Sequence, residues 1–251
     1  GVRAVFVNHA WMMLWVAFLL VATPLTWMAW RAPAAMEPYR IQPRRPSDPA
    51  RMVREGVRAV FVNHAWMMLW VALSWPLVHA LGRIHGGPPP PWYVAVGQVV
   101  VLFYVHDLLY HFFHRFLHEQ PWLWRRVHAW HHRVRTPWAL AGYDFHPLEF
   151  CLSGSVTLTG PLLLGVHLHV LWAWLVVRAW DAAEGHSGYV LPFSPLTWLP
   201  GSDGARAHDA HHTSGSGNFA SYLAWSDRLF GTLSRGYAPG RRVPRSEPDE
   251  A

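Results

Sequence analysis

Lysine is absent from these 251 residues, so all 21 cations are arginine, and there is only one cysteine. The lone Cys151 excludes an internal disulfide framework and any cysteine-based metal site. No G-x-G-x-x-G run occurs, so no bound nucleotide is expected. H-E-x-x-H is also missing: His118-Glu119 is followed by Gln-Pro, which breaks that zinc-hydrolase pattern. Charge is scarce at 14%, while 52% of the residues are apolar and 17 are Trp, a balance ordinary for a membrane protein and unusual for a soluble one. The net charge of +6 raises the question of nucleic acid. The arginines, however, sit in loops between apolar blocks and in the C-terminal tail, where they read as topology signals, and no nucleic-acid partner is expected.

What is present falls into four apolar blocks, at 4–23, 59–81, 92–113 and 150–177. A helix needs roughly 20 residues to cross the hydrocarbon, so each of the first three can cross once. The fourth, broken by Gly160-Pro161, reads as a hairpin of two short or tilted helices or a re-entrant pair. The connection 31–58 carries seven Arg against three acids and is placed on the cytoplasmic side. The Pro-rich 82–92 falls on the opposite face. Both histidine-rich regions, 106–146 and 186–212, then return to the cytoplasm. The expected architecture is all-α: an integral membrane stem of about four to five helices under a histidine-rich cytosolic helical cap. Arg-over-Lys and Ala/Trp-rich usage suggest a bacterial inner membrane. No cleavable signal peptide is expected, because the N-terminal apolar stretch lacks a small-residue cleavage site and is followed by Arg.

GVRAVFVNHAWMMLWVA occurs at 1–17 and again, letter for letter, at 56–72. Structural repeats drift, so two identical copies point to a recent duplication or an assembly artefact, and His9 and His64 within them receive no chemical role. The expected division is 1–30 as an N-terminal apolar segment, 31–233 as the membrane domain and 234–251 as a disordered polar tail.

The chemistry lies in HAWHH (128–132) and HDAHH (208–212), one pattern written twice. With 18 His in the chain, one H-x-x-H-H arises by chance in roughly one such chain in ten, and two in only a few per thousand. HRFLH (114–118) adds a third cluster. Residues three and four apart share a helix face, so His114 projects with His118, and His128 with His131 and His132. Adjacent His131 and His132 diverge by about 100° and can reach two neighbouring ions instead of crowding one. The same holds for His208, His211 and His212. Eight imidazoles are too many for one tetrahedral ion, and neutral imidazole favours Fe, Zn, Cu or Ni.

HRFLH, HAWHH, HPLE (146–149), HSGY (186–189), HDAHH and NFASYLAWSDRLFGT (218–232) together resemble the sterol desaturase / fatty acid hydroxylase superfamily. YRIQP (39–43) resembles the segment before the second membrane helix in its methylsterol oxidase and cholesterol 25-hydroxylase members. The resemblance runs from about Tyr39 to Leu233 and implies an integral membrane enzyme with two Fe ions, although Zn can occupy such sites in a purified sample. The ligands it implies are His114, His118, His128, His131, His132, His208, His211 and His212, with His186 and His146 added. It also implies supporting roles for Asp107 and Asn218, with Asp107 holding a ligand imidazole by its second nitrogen. The chain departs from the family in having His111-Phe112 where Tyr-Trp is usual and Ser226 where Trp is usual. Neither position is a ligand, so both bear on the substrate pocket.

The reaction implied is O2-dependent hydroxylation or desaturation of a C–H bond in a sterol or fatty acyl lipid. O2 would be co-substrate, and electrons would come from a reductase or small redox carrier. Two other classes remain open: a zinc-dependent membrane hydrolase or lyase, and a metal-binding membrane protein without catalysis.

Overall fold

The computed structural model describes residues 18–42, 48–235 and 237. The 1–17 copy of the repeat, with His9, lies outside the described residues, as do positions 236 and 238–251 of the tail. Among the described residues the chain is all-α, with only isolated bridges such as Arg40 to Tyr189 and His85 to His167.

A one-turn π-helix at Phe18–Ala22 leads into α1 (Thr23–Arg31). Helix α2 (Pro49–Leu81) starts at Asp48, whose side chain accepts from the Arg51 N–H at 2.9 Å, and stops at Gly82 in the left-handed conformation. It contains the second copy of the repeat. Helix α3 (Trp92–Glu119) follows the proline run and ends before Pro121. After the short α4 (Pro121–Arg126), 3-10 turns at His128–Arg133 and Ala139–Tyr143 lead to α5 (Pro147–Leu164) and α6 (Leu168–Gly185). The chain closes with α7 (Arg206–Ser214) and α8 (Trp225–Phe230).

Among the described residues α2, α3 and α5 are long and apolar enough to cross a membrane. Only 22% of each apolar window is buried, and Phe61, Leu73, Leu77 and Val96 point outward. Apolar side chains facing out along helices whose backbone bonds are internally satisfied suit a lipid environment. Three such helices is fewer than the four to five expected: α6 carries Arg178, Asp181 and Glu184, and most of the first apolar block is outside the described residues.

The hairpin expected in 150–177 is there, but it turns at Gly165 (φ 64), four residues beyond Pro161. Pro161 lacks the N–H that would bond the Thr157 carbonyl. Trp174 Nε1 on α6 donates to that carbonyl instead at 3.0 Å, so the helix runs on. Helix α5 packs on α2 and α3, and α3 also packs on α6. At one end the loops pair, with His85 N donating to Val166 O at 3.1 Å and Leu168 N to His85 O at 2.8 Å. At the other end the start of α2, the end of α3, the start of α5 and the end of α6 meet under the cap. Ser234 and Tyr237, assigned to the tail, are tied down there. Ser234 N donates to Asn218 Oδ1 at 3.0 Å, and the Tyr237 hydroxyl bonds Asp203.

Candidate metal centre

Each histidine box is placed by a different local structure. His114 and His118 occupy the last turns of α3, HAWHH is a 3-10 turn, and HDAHH lies on α7. The cap folds them into two groups. His114, His118, His128, His132 and His211 form one, and His131, His186, His208 and His212 the other, with the ligand atoms of each within 4.8 Å of one another. His131 and His132, though adjacent, belong to different groups, as do His211 and His212. In every box the two histidines four apart share a group, and in HAWHH and HDAHH the third crosses to the other.

The nitrogen spacings fit metal ions better than hydrogen bonds. His128 Nε2 lies 3.0 Å from that of His114, 2.9 Å from that of His118 and 3.0 Å from that of His132. His211 Nε2 lies 3.2 Å from His118 Nε2 and 3.1 Å from His132 Nε2. In the second group, His186 Nε2 stands 3.3 Å from His131 Nε2 and 2.9 Å from His208 Nε2. One imidazole nitrogen carries a single proton or a single lone pair, so His128 Nε2 cannot hydrogen-bond three neighbours. Donors at right angles on an ion with bonds of about 2.1 Å stand about 3.0 Å apart.

The opposite ring nitrogens explain why the Nε2 atoms face inward as acceptors. Nδ1–H donates from His114 to Phe219 O at 2.8 Å, from His186 to Ala182 O at 2.8 Å, from His211 to Gly217 O at 2.6 Å and from His212 to Val134 O at 2.9 Å. His128 Nδ1 donates to Glu149 Oε1 at 2.7 Å. Each bond fixes the tautomer that leaves the Nε2 lone pair free for a metal. Burial, reinforced by neighbouring imidazoles, holds His131, His132, His208 and His212 below the ordinary histidine range. Burial alone lowers His186 to about 4, and it is the main cause that brings His211 down to about 3. These six rings are therefore neutral, as metal binding requires.

Two residues, His146 and Asp107, stand differently from their sequence expectation. His146 joins neither group: its Nδ1 accepts from the Leu148 N–H at 3.2 Å and caps α5. Asp107 holds no ligand imidazole. Its Oδ1 accepts from the Tyr222 and Leu223 N–H groups, both at 3.0 Å, and Oδ2 accepts from Ser226 Oγ at 3.3 Å. It thereby pins the loop that carries the Phe219 carbonyl. Asn218 has φ 50, and its side chain donates to Ala207 O at 3.1 Å, so the chain turns between the two carbonyls that hold His211 and His114.

Sequence reasoning missed Glu149 and Gln42. Glu149 is the carboxylate that does grip a histidine of the first group, and its signal was present as the last letter of HPLE. Gln42, in YRIQP, donates to Asp209 Oδ1 at 2.8 Å, Arg135 O at 3.1 Å and Thr213 Oγ1 at 3.1 Å, tying α7 to the chain after HAWHH.

A cavity of about 190 Å³ adjoins the second group. Its wall includes Met67, Val71, Phe150 and Leu158 from α2 and α5, and it reaches His186 and His208. An apolar space between membrane helices that ends on two imidazoles suits a lipid chain.

The sequence profile for fatty acid hydroxylase matches residues 99–232. Very-long-chain aldehyde decarbonylase GL1-11 of Oryza sativa subsp. indica is 37% identical over 197 residues, covering 77% of this chain and 73% of its own length. Methylsterol monooxygenase 2-2 of Arabidopsis thaliana is 34% identical over 202 residues, 79% and 75% of the two chains. Methylsterol monooxygenase 1 of Rattus norvegicus is 36% identical over 143 residues, 57% and 48%. No solved structure matches.

Proposed function

The chain belongs to the fatty acid hydroxylase family, and from that premise we propose that it is a membrane-bound non-haem di-iron oxidoreductase that hydroxylates or desaturates a C–H bond of a sterol or fatty acyl lipid. The observation that carries the reading is the convergence of nine imidazoles into two groups beside an apolar cavity. The donor set is all nitrogen, which suits iron, zinc, copper or nickel. Only the redox-active ions support the oxidation that the family relationship implies.

His114, His118, His128, His132 and His211 would hold one ion, and His131, His186, His208 and His212 the other. Bound there, a reduced iron pair supplies the activation of O2 needed to attack an unactivated C–H bond. The chain itself does the rest. The carbonyls of Phe219, Ala182, Gly217 and Val134 and the Glu149 carboxylate keep the ligand tautomers fixed. Met67, Val71, Phe150 and Leu158 exclude water and lay the lipid along α2 and α5. His186 and His208, at the cavity wall, mark the second group as the side the substrate meets. Electrons come from a separate reductase or small carrier. The site lies on the cytoplasmic face, and a bacterial inner membrane remains the proposed location, although the relatives named above are eukaryotic.

The test is oxygen uptake by the purified, iron-loaded chain in detergent with a reducing system and sterol or fatty acyl lipids. Two iron ions per chain and lipid carrying added oxygen, or a new double bond, are expected. Turnover that continues under strict anaerobiosis, or a chain that binds one ion or none, refutes the proposal. The relationship to proteins named aldehyde decarbonylases favours one second reading, cleavage of a long-chain aldehyde. Under it, the same assay supplied with such an aldehyde yields a hydrocarbon in place of an oxygenated lipid.

A further inference from the structure

Apart from its imidazoles, the cavity carries charge in one place. Arg178 and Asp181, one turn apart on α6, form an ion pair. Ser221 Oγ accepts from Arg178 Nη2 at 3.2 Å and donates to Asp181 Oδ2 at 3.2 Å. All three residues line the cavity that reaches His186 and His208.

The trio is not saturated. Arg178 Nε and Asp181 Oδ1 are both buried without a hydrogen-bond partner. Leaving a buried donor and a buried acceptor open is costly, and here both belong to residues in the wall of a cavity. The pair is neutral overall, so whatever a carboxylate gains from Arg178 is opposed by Asp181. A hydroxyl suits it better: its oxygen accepts from Arg178 Nε–H, and its proton goes to Asp181 Oδ1.

Helix α6 also sets a distance. Arg178, Asp181, Ala182 and His186 all face the cavity. The five residues from Asp181 to His186 span about 7.5 Å of helix rise. A polar group held at the trio therefore leaves only a few bonds of lipid before the imidazoles of the second group.

We infer that Arg178, Asp181 and Ser221 are specificity-determining residues that hold the hydroxyl of a neutral lipid alcohol, so that the oxidised carbon lies within a few bonds of it. This rests on the reading of the chain as a lipid oxidoreductase. Its test is therefore one of binding and needs no turnover.

The iron-loaded full chain, in detergent and under nitrogen, is equilibrated with labelled hexadecan-1-ol, hexadecane or hexadecanoate, and retention is measured. The alcohol is expected to bind about tenfold more tightly than the alkane and more tightly than the acid. Removing one partner of a buried ion pair strands the other, so the main variant is the double Arg178→Met/Asp181→Leu. It should bring the alcohol and the alkane within about twofold while keeping wild-type iron content. Should that variant fail to fold, Asp181→Asn and Ser221→Ala separately should each cut the preference about threefold or more. An alcohol preference that survives these changes, a wild-type preference for the acid, or variants that lose only thermal stability overturns the inference and leaves the trio a structural tie. Alcohol selectivity with no oxygen uptake on any lipid would fault the proposed function and leave the clamp standing.

Discussion

Replacing Glu149 with alanine should release one ion and leave the other. The Glu149 carboxylate accepts from His128 Nδ1 at 2.7 Å, and both side chains are fully buried. His128 is the hub of the first group, with three other imidazole nitrogens within 3.0 Å of its Nε2. Removing a supporting acceptor of this kind lowers metal affinity about 10- to 100-fold, which is about 1.4–2.7 kcal/mol. An orphaned buried donor costs about 1–3 kcal/mol, so the two routes agree in size. Iron-loaded protein is dialysed against rising concentrations of a chelator, and the iron left per chain is counted. Glu149→Ala should fall to one ion per chain at about 10- to 100-fold less chelator than the wild type needs. Glu149→Gln keeps an oxygen acceptor and should stay within about threefold of wild type. Its amide nitrogen, placed where Oε2 has no partner, should instead lower the melting temperature. An alanine variant as retentive as wild type, or one that loses both ions together, would refute the assignment of Glu149 to the first group.

A methyl group at Gly142 should disturb the second group, because a Cβ there would stand 2.5 Å from Ala182 O and 3.0 Å from His186 Nδ1, the two atoms whose bond orients that ring. Gly142→Ala is expected to halve bound iron and abolish turnover, and wild-type activity would contradict the geometry. His146→Ala should cost about 1 kcal/mol through the lost helix cap while keeping both ions, whereas His212→Ala should lose an ion; metal counting beside thermal melts separates them. Burial holds His186 at about 4 and His211 at about 3, against 6.5 for an ordinary histidine. Between those values the unfolded chain binds protons that the folded chain does not, so the stability of the metal-free protein is lost as pH falls through that window. Melts of the metal-free chain in detergent at stepped pH should show the decline, with metal release from the loaded chain over the same interval; a flat profile would count against buried neutral imidazoles.

Much of this protein is written locally. Apolar runs bounded by Asp48-Pro49, Gly82 and the four prolines before Trp92 dictate long helices whatever surrounds them, since span length and helix breakers act within a few residues. The boxes are local in the same sense. Spacings of one, three and four residues decide which imidazoles share a face, so eight of the nine converging histidines could be named from HRFLH, HAWHH and HDAHH, and His186 followed from HSGY.

The rest depended on contacts between distant segments. Pro161 looked like the hairpin's hinge, but α5 runs on to Leu164, and the Thr157 carbonyl that Pro161 leaves open is taken by the indole of Trp174, thirteen residues on and across the turn. Asp107, Glu149 and Asp227, the last with an Oδ1 3.3 Å from His111 Nδ1, are all buried acids, and nothing in the one-dimensional order says which of them meets a histidine of the two groups. The placement of the His128–Arg133 turn against the start of α5 puts Glu149 on His128, while Asp107 is spent on the backbone of the 222–223 loop. HPLE contains both a histidine and a glutamate, and the start of α5 turns the histidine into a cap and the glutamate into the ligand's support. Eight of the converging histidines were thus marked by sequence spacing, because helical pitch is short-range, and His186 by the family resemblance. The sorting of those histidines into two groups, their supporting acceptors and the cavity they face were decided by tertiary structure, because each needs atoms far apart in the chain to be buried together.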